Sequence, residues 1–255
     1  MRMRTGGRPG PGLLLLHGLG ATSEVWDGLI AHAERSWPGR WYALDLPGHG
    51  GSEPLADYTF TTMSASVAAA VAAAVDGPVT VLGHSLGGVL ALELASDRHP
   101  VPVLAAVGVG IKIAWTPDEL ARAAALADRP AATFATADQA VARHLKVAGL
   151  TGLIAPDDPR ALAGVRRTGE GWRLALDQRA FGVGAPDMPA LLAAAQCPVV
   201  LAAGEHDPMV DEAALRALAP DAVTLHGLGH NAHVEGPALV GRLVPAWQDS
   251  ANGLG

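Results

Sequence analysis

The chain has 255 residues, of which 49% are apolar and 17% are charged, a composition typical of a globular protein with a sizeable core. Its formal net charge of −7 argues against a nucleic-acid partner, because an acidic surface repels phosphate backbones. The single cysteine, Cys197, cannot form an internal disulfide or a multi-thiolate zinc site. The sequence therefore gives no sign of an oxidising compartment, and we expect a cytoplasmic protein. Every apolar run is shorter than the 18 residues that a membrane span needs, so no membrane partner is expected.

Short apolar runs alternate along the chain with Ala-rich stretches of helical spacing. Strands are predicted at residues 12–19, 40–46, 79–83, 101–109, 198–203 and 222–225. Helices are predicted between and after them, at residues 24–35 with Ser23 as N-cap, 62–75, 86–97 and 237–247. This alternation predicts an α/β fold, in which helices cover both faces of a mostly parallel central sheet. The first eleven residues and the tail after Gln248 are expected to be loose.

The stretch from about Ile111 to Ala195 breaks the alternation, because it contains no convincing strand. A helix is predicted to begin there with Thr116 as N-cap and Pro117 in its first turn, and further helices are predicted near residues 138–146, 159–167 and 188–195. This stretch interrupts the sheet between its fourth and fifth strands. We therefore expect residues 111–195 to form an inserted helical cap on a core made of residues 1–110 and 196–255.

The pentapeptide from Gly83 to Gly87 has the pattern G-x-S-x-G and lies between a predicted strand and a predicted helix. A serine on such a tight turn adopts a strained backbone, and the flanking glycines allow the neighbouring backbones to approach closely. The hydroxyl of Ser85 would then project above the sheet, next to the positive end of the helix dipole. The pattern predicts that Ser85 is a catalytic nucleophile.

A nucleophilic serine needs a base, and the base needs an acid that orients it. Two loops that follow predicted strands supply these residues: Asp207 is predicted as the acid, and His230 as the base. Glu205, two residues before Asp207, is the competing acid, while His226 and His233 are the competing histidines. The oxyanion hole is expected to use the backbone N–H groups of Leu86 and Leu19.

Five segments, in this order, resemble the α/β-hydrolase superfamily, and specifically its capped serine-hydrolase branch: residues 13–20, 45–52, 83–88, 204–207 and 229–237. The resemblance implies the α/β-hydrolase fold and a structural role for Asp45. Dehalogenases and epoxide hydrolases of this fold use an aspartate as nucleophile, so Ser85 favours chemistry of the esterase type. The expected function is hydrolysis of a small carboxylic ester or a related acyl compound through an acyl-enzyme, without cofactor or metal.

Two alternatives to ester hydrolysis remain open. Residues 45–52 and 229–233 also resemble the pyruvate-eliminating synthase of the menaquinone pathway, but Val89 occupies the position where that enzyme has an arginine. The other alternative is a small-molecule receptor without catalysis on the same fold. The cap is expected to shape the substrate pocket, with Trp115, Phe134 and Phe181 as lining residues and Met209 at the rim. The sequence gives no indication of the oligomeric state.

Overall fold

The computed structural model describes residues 1–245 and Trp247. Within that range the strands are β1 (Met3–Gly7), β2 (Gly12–Leu16), β3 (Arg40–Leu44), β4 (Val79–His84), β5 (Val103–Val109), β6 (Val165–Thr168), β7 (Gly171–Leu174), β8 (Val199–Gly204) and β9 (Val223–Leu225). The helices are α1 (Asp27–Ser36), α2 (Phe60–Ala74), α3 (Leu86–Ala95), α4 (Pro117–Ala127), α5 (Ala137–Val147), α6 (Pro159–Leu162), α7 (Met188–Ala194), α8 (Glu212–Leu218), α9 (Ala232–Glu235) and α10 (Pro237–Gly241). The prediction about the tail after Gln248 lies outside the described residues, as does part of the predicted end of the last helix.

Seven strands form one central sheet in the order β1-β3-β2-β4-β5-β8-β9. Every neighbouring pair is parallel except β1 with β3, so the predicted mostly parallel sheet is confirmed. Along β2 the leucines alternate between two apolar clusters: Leu13 and Leu15 pack on the side of α1, while Leu14 and Leu16 pack on the side of α2 and α3. This period of two is what a strand buried on both faces requires.

The sequence predicts that the first eleven residues are loose, and this prediction is wrong for Met3–Gly7, which form the edge strand β1. Its register pairs Met3 with Leu44 of β3 in antiparallel orientation. The guanidinium of Arg2 also donates to the buried carboxylate of Asp45 at 2.8 Å. The sequence of this strand is polar and glycine-rich, so its order comes from the free edge of β3 and this ion pair rather than from a hydrophobic pattern.

The segment between β5 and β8 contains a hairpin that the sequence pattern does not predict. The helix expected at residues 159–167 ends at Leu162, and β6 and β7 follow as an antiparallel pair. The predicted start of α4 is confirmed, since Thr116 accepts from the Glu119 N–H in a capping box and Pro117 opens the helix. The predicted cap is therefore α4 to α7 together with a two-stranded hairpin.

The end of α5 contacts two loops of the core at once. A Cβ atom on Gly20 would lie 2.6 Å from Val147 Cγ1, which shows how closely α5 packs on the loop after β2. On the other side, the Asn231 side-chain amide donates to the Gly149 carbonyl at 2.9 Å. The two loops joined in this way are those that follow β2 and β9.

Candidate active site

Ser85 lies in the sharp turn between β4 and α3. It is the one non-glycine residue with positive φ in the described part of the chain, at φ 49° and ψ −114°. The flanking glycines, Gly83 and Gly87, have no room for a side chain. A Cβ atom on Gly83 would lie 2.1 Å from the carbonyl oxygen of Gly87, and a Cβ atom on Gly87 would lie 2.1 Å from the carbonyl oxygen of Leu16. The close approach of three backbone segments therefore requires glycine at both positions.

Asp207 and His230 meet at the same edge of the sheet, where β8 and β9 end. His230 Nδ1 lies 2.9 Å from Asp207 Oδ2 and 3.0 Å from Oδ1. The Asp207 carboxylate is fully buried and also accepts the Met209 N–H at 2.8 Å, while the His230 side chain is 21% exposed. A Cβ atom on Gly110, at the end of β5, would lie 3.3 Å from Asp207 Oδ2 and 3.4 Å from His230 Nδ1, so this glycine makes space for the pair.

The competing acid, Glu205, points elsewhere. Its Oε2 accepts the Gly227 N–H at 2.8 Å and lies 3.5 Å from Nδ1 of the exposed His226. Because the two acidic residues are two positions apart on the turn after β8, only Asp207 reaches His230.

Ser85 opens into the same cavity as His230, but Ser85 Oγ and His230 Nε2 are not hydrogen-bonded to each other. Catalytic hydrogen bonds of this kind often reach their final geometry only in the complex with substrate. The loop after β2 comes close to the serine, since a Cβ atom on Gly18 would lie 3.4 Å from Ser85 Cβ. Leu19 and Leu86 both line the cavity, and neither backbone N–H donates a hydrogen bond within the described structure. Two backbone donors without a partner among the described residues thus line the cavity into which Ser85 opens.

Two buried histidines lie behind His230. His84 Nε2 is 2.9 Å from the His230 carbonyl oxygen, so its N–H donates across from the serine turn to the histidine loop. The His233 ring lies between His84, at a centroid distance of 4.3 Å, and Trp26, at 4.6 Å. Burial, aided by repulsion from neighbouring histidines, lowers the pKa of His84 well below its ordinary value and that of His233 to about 3. Both rings are therefore neutral at pH 7.

A cavity of about 930 Å³ opens above Ser85, between the sheet edge and the predicted cap. Three of the predicted pocket residues, Trp115, Phe181 and Met209, line it. Phe134, contrary to the expectation, is not among the lining residues, and its backbone pairs with Trp172 on the hairpin.

Several further residues of the segment line the cavity. One stripe of α4 faces the cavity, with residues at i, i+3, i+4 and i+7: Glu119, Arg122, Ala123 and Leu126. Lys146, near the end of α5, lines it as well. The spacing on α4 is visible in the sequence, but the surface that this amphipathic helix faces depends on the packing of the segment.

The described residues contain no group of three or more His, Cys, Asp or Glu side chains arranged to hold a metal ion. None of the helices in the described ranges is long and apolar enough to cross a membrane.

The model of a family described as "alpha/beta hydrolase fold" matches residues 11–237 of this chain. Among curated proteins, the chain is 48% identical over 86 residues to a pimeloyl-[acyl-carrier protein] methyl ester esterase of Neisseria meningitidis serogroup A, covering 34% of this chain and 25% of the relative. It is 41% identical over 93 residues to the protein of that name from Methylococcus capsulatus, covering 36% of this chain and 34% of the relative. The chain therefore matches about a third or less of the length of these relatives.

Solved structures resemble the chain over nearly its whole length. A thioesterase domain from the curacin biosynthetic pathway has a TM-score of 0.77 at 22% identity and covers 94% of both chains. E-2-(acetamidomethylene)succinate hydrolase has a TM-score of 0.78 at 22% identity and covers 98% of this chain and 93% of its own. An esterase from Mycobacterium tuberculosis has a TM-score of 0.67 at 25% identity, with 91% and 82% covered.

Proposed function

Because the chain belongs to the alpha/beta hydrolase family, we propose that it is a serine hydrolase that cleaves a small carboxylic ester or a related acyl compound. The observation that carries this proposal is the constellation in one cavity: Ser85 on its strained turn, the bonded pair of His230 and Asp207, and two unpaired backbone N–H groups. The esterase names of similar proteins support the same bond type.

In the proposed reaction, Ser85 Oγ attacks the ester carbonyl while His230 Nε2 takes its proton. Asp207 accepts the N–H at His230 Nδ1, which fixes the tautomer that leaves Nε2 free as a base. The amides of Leu19 and Leu86 stabilise the tetrahedral oxyanion. The imidazolium then protonates the departing alcohol, and a water activated by the same nitrogen hydrolyses the acyl-enzyme.

The two alternatives receive less support from the described residues. Val89, where the pyruvate-eliminating synthase has an arginine, is buried and lines the cavity with an apolar side chain. That position therefore offers no charge to a substrate carboxylate. A receptor without catalysis would not need a strained serine beside an oriented imidazole. The proposal also includes a cytoplasmic location and a small molecule as the partner, supported by the single cysteine and the acidic net charge.

The test is turnover of nitrophenyl esters from acetyl to octanoyl by the wild type and by Ser85→Ala. Ser66→Ala, on α2 and outside the cavity lining, is the matched control. Hydrolysis by the wild type and the control, with a loss of about 10³-fold or more in Ser85→Ala, is the expected result. Equal rates in all three proteins would refute the proposal. Pyruvate release from the menaquinone precursor would favour the lyase, and a Ser85 unreactive towards a fluorophosphonate would favour the receptor.

A further inference from the structure

The charges around the cavity are not balanced by one another. Lys112 forms an ion pair with Glu119, whose carboxylate also caps the first turn of α4. The other acidic side chain in the lining, Glu235, accepts the Gly229 N–H at 2.7 Å and is thereby held against the histidine loop. Both carboxylates of the lining are thus already engaged.

Two cations of the lining have no such partner. Within the described residues, Arg122 and Lys146 form neither an ion pair nor a side-chain hydrogen bond, although both line the cavity. Elsewhere in the segment, Arg160, Arg173 and Arg179 are bound to carboxylates. Other arginines there also have no ion pair among the described residues but do not line the cavity, namely Arg129, Arg143, Arg166 and Arg167. Arg122 and Lys146 come from different helices, α4 and α5, and both are solvent-exposed residues that line the same cavity.

The lining therefore carries three cationic side chains, those of Lys112, Arg122 and Lys146, against two carboxylates, an excess of one positive charge in a protein whose net charge is −7. Around Ser85 the lining is mainly apolar, with Phe60, Val89 and Ile111 among its side chains. An apolar interior with unpaired cations at the solvent-exposed opening is complementary to a molecule with an apolar part and an anionic end.

We propose that the substrate ester carries a negatively charged group, a carboxylate or a phosphate, remote from the reacting carbonyl, and that Arg122 and Lys146 bind it. This inference rests on the proposed ester hydrolysis and specifies its substrate class. Arg122 favours a planar oxyanion because its guanidinium offers paired donors, while Lys146 contributes a point charge.

The kinetic test compares esters of six-carbon acyl chains that carry different distal groups. Nitrophenyl hexanoate is measured beside the nitrophenyl half-ester of adipate, the 6-phosphooxyhexanoate and the 6-trimethylammonio analogue. A second set carries the same groups on the alcohol side of butyrate esters. For two exposed ion pairs we expect kcat/KM to favour one of the anionic esters over the neutral one by about tenfold, and less at 0.5 M salt.

The matched variants are Arg122→Gln and Lys146→Gln, together with Arg129→Gln and Arg143→Gln as controls. The control arginines belong to the same segment but lie outside the cavity lining. The anionic-to-neutral ratio should fall about tenfold in the Arg122→Gln, Lys146→Gln double variant and stay unchanged in the controls. A ratio near or below one for both carboxylate and phosphate, in both substrate sets, overturns the inference while leaving ester hydrolysis intact.

A binding measurement separates this inference from the failure of catalysis. In Ser85→Ala protein, monomethyl adipate and methyl 6-phosphooxyhexanoate should raise the Tm more than methyl hexanoate and methyl 6-aminohexanoate do at equal concentration, because these esters differ in charge only at the distal group. If no ester is hydrolysed but this order holds and disappears in the double variant, the anion site stands and the proposed reaction is wrong. If the four ligands are equivalent, the anion site is wrong, whatever the esterase result.

Discussion

Replacing Ser85 with glycine should stabilise the protein relative to replacing it with alanine, although both changes remove the same hydroxyl. Its φ of 49° and ψ of −114° lie outside the regions that L-residues populate readily. The strain is held in place on both sides: the Ser85 N–H donates to the Val109 carbonyl at 2.8 Å, and the Ser85 carbonyl accepts from Gly88 at 2.9 Å.

The magnitude follows from two opposing effects. A non-glycine residue in such a conformation costs on the order of 1–3 kcal/mol, and glycine removes that cost. Glycine also increases the entropy of the unfolded chain, which offsets roughly 0.5–1 kcal/mol. The net free energy of unfolding of Ser85→Gly should therefore exceed that of Ser85→Ala by about 1 kcal/mol, which corresponds to a Tm difference of roughly 2–4 °C for a chain of this size.

The assay is urea unfolding of both variants followed by tryptophan fluorescence, with thermal melts as a second measurement. Ser66 on α2 provides a control of opposite sign, because its backbone is helical and alanine should be favoured over glycine by about 1 kcal/mol. If glycine is no better than alanine at position 85, while the control behaves as expected, the turn is not strained in the way that its dihedral angles indicate.

Three further changes test the site and its surroundings. Asp207→Asn should lower kcat by several orders of magnitude with little change in fold, because the amide holds His230 in the wrong tautomer, and ester turnover with circular dichroism measures both. His233→Phe should make the free energy of unfolding less sensitive to acid. The His233 ring has a pKa of about 3 in the folded protein and about 6.5 in the unfolded chain, so the unfolded chain takes up a proton first as the pH falls. The contribution of the neutral ring to stability is therefore complete above pH 6.5 and is lost progressively between pH 6.5 and pH 3. Relative to the wild type, the variant should gain about 2 kcal/mol in unfolding free energy between pH 7 and pH 5, since its ring has no nitrogen to protonate. Asn231→Ala should cost about 1–3 kcal/mol in denaturant unfolding, because it leaves the Gly149 carbonyl without its donor.

Each of these has a control and a contradicting result. Glu205→Gln should be mild, and a severe loss there with a mild one at Asp207 would reassign the acid. Val234→Ala, next to His233 in the chain, changes apolar packing without removing a titratable group and should leave the pH dependence of stability unchanged. Parallel curves for His233→Phe and the wild type would contradict the lowered pKa of His233. For Asn231, an Asn231→Gln protein as stable as wild type, together with an unaffected Asn231→Ala, would show that the bond contributes nothing.

The features that the sequence predicts well are those whose cause is local. The run of leucines in β2 is enough to indicate a strand that is buried on both faces. The turn around Ser85 is also predictable, because the glycines that it requires lie within two residues of the serine in the sequence. The sequence alone does not determine which of Asp207 and Glu205 contacts the histidine, because both follow the same strand. The difference between them is the direction of two side chains on one turn, which only the folded loop determines.

The features that the sequence does not predict depend on distant partners. β1 has a polar, glycine-rich sequence and is ordered by the edge of β3 and by Asp45. The hairpin that starts at Val165 is too short and too polar to show a clear alternation. Phe134 was expected in the pocket for its size, but its position is set by backbone pairing with Trp172. Nothing in the sequence distinguishes Arg122 from the other arginines of the segment, because its place at the cavity depends on the packing of α4.

The contacts at the end of α5 bear on how proteins of this family can be recombined. A graft that exchanges residues 111–195 for the corresponding segment of another hydrolase would cut through the packing of Val147 on Gly20 and the bond from Asn231 to Gly149. The protein that receives the graft would then lose the contacts that hold its loops after β2 and β9 in position, in addition to its original specificity. Chimeras that keep residues 137–149 with the parent scaffold, and vary the hairpin and α4 instead, should retain turnover while changing which substrates are accepted.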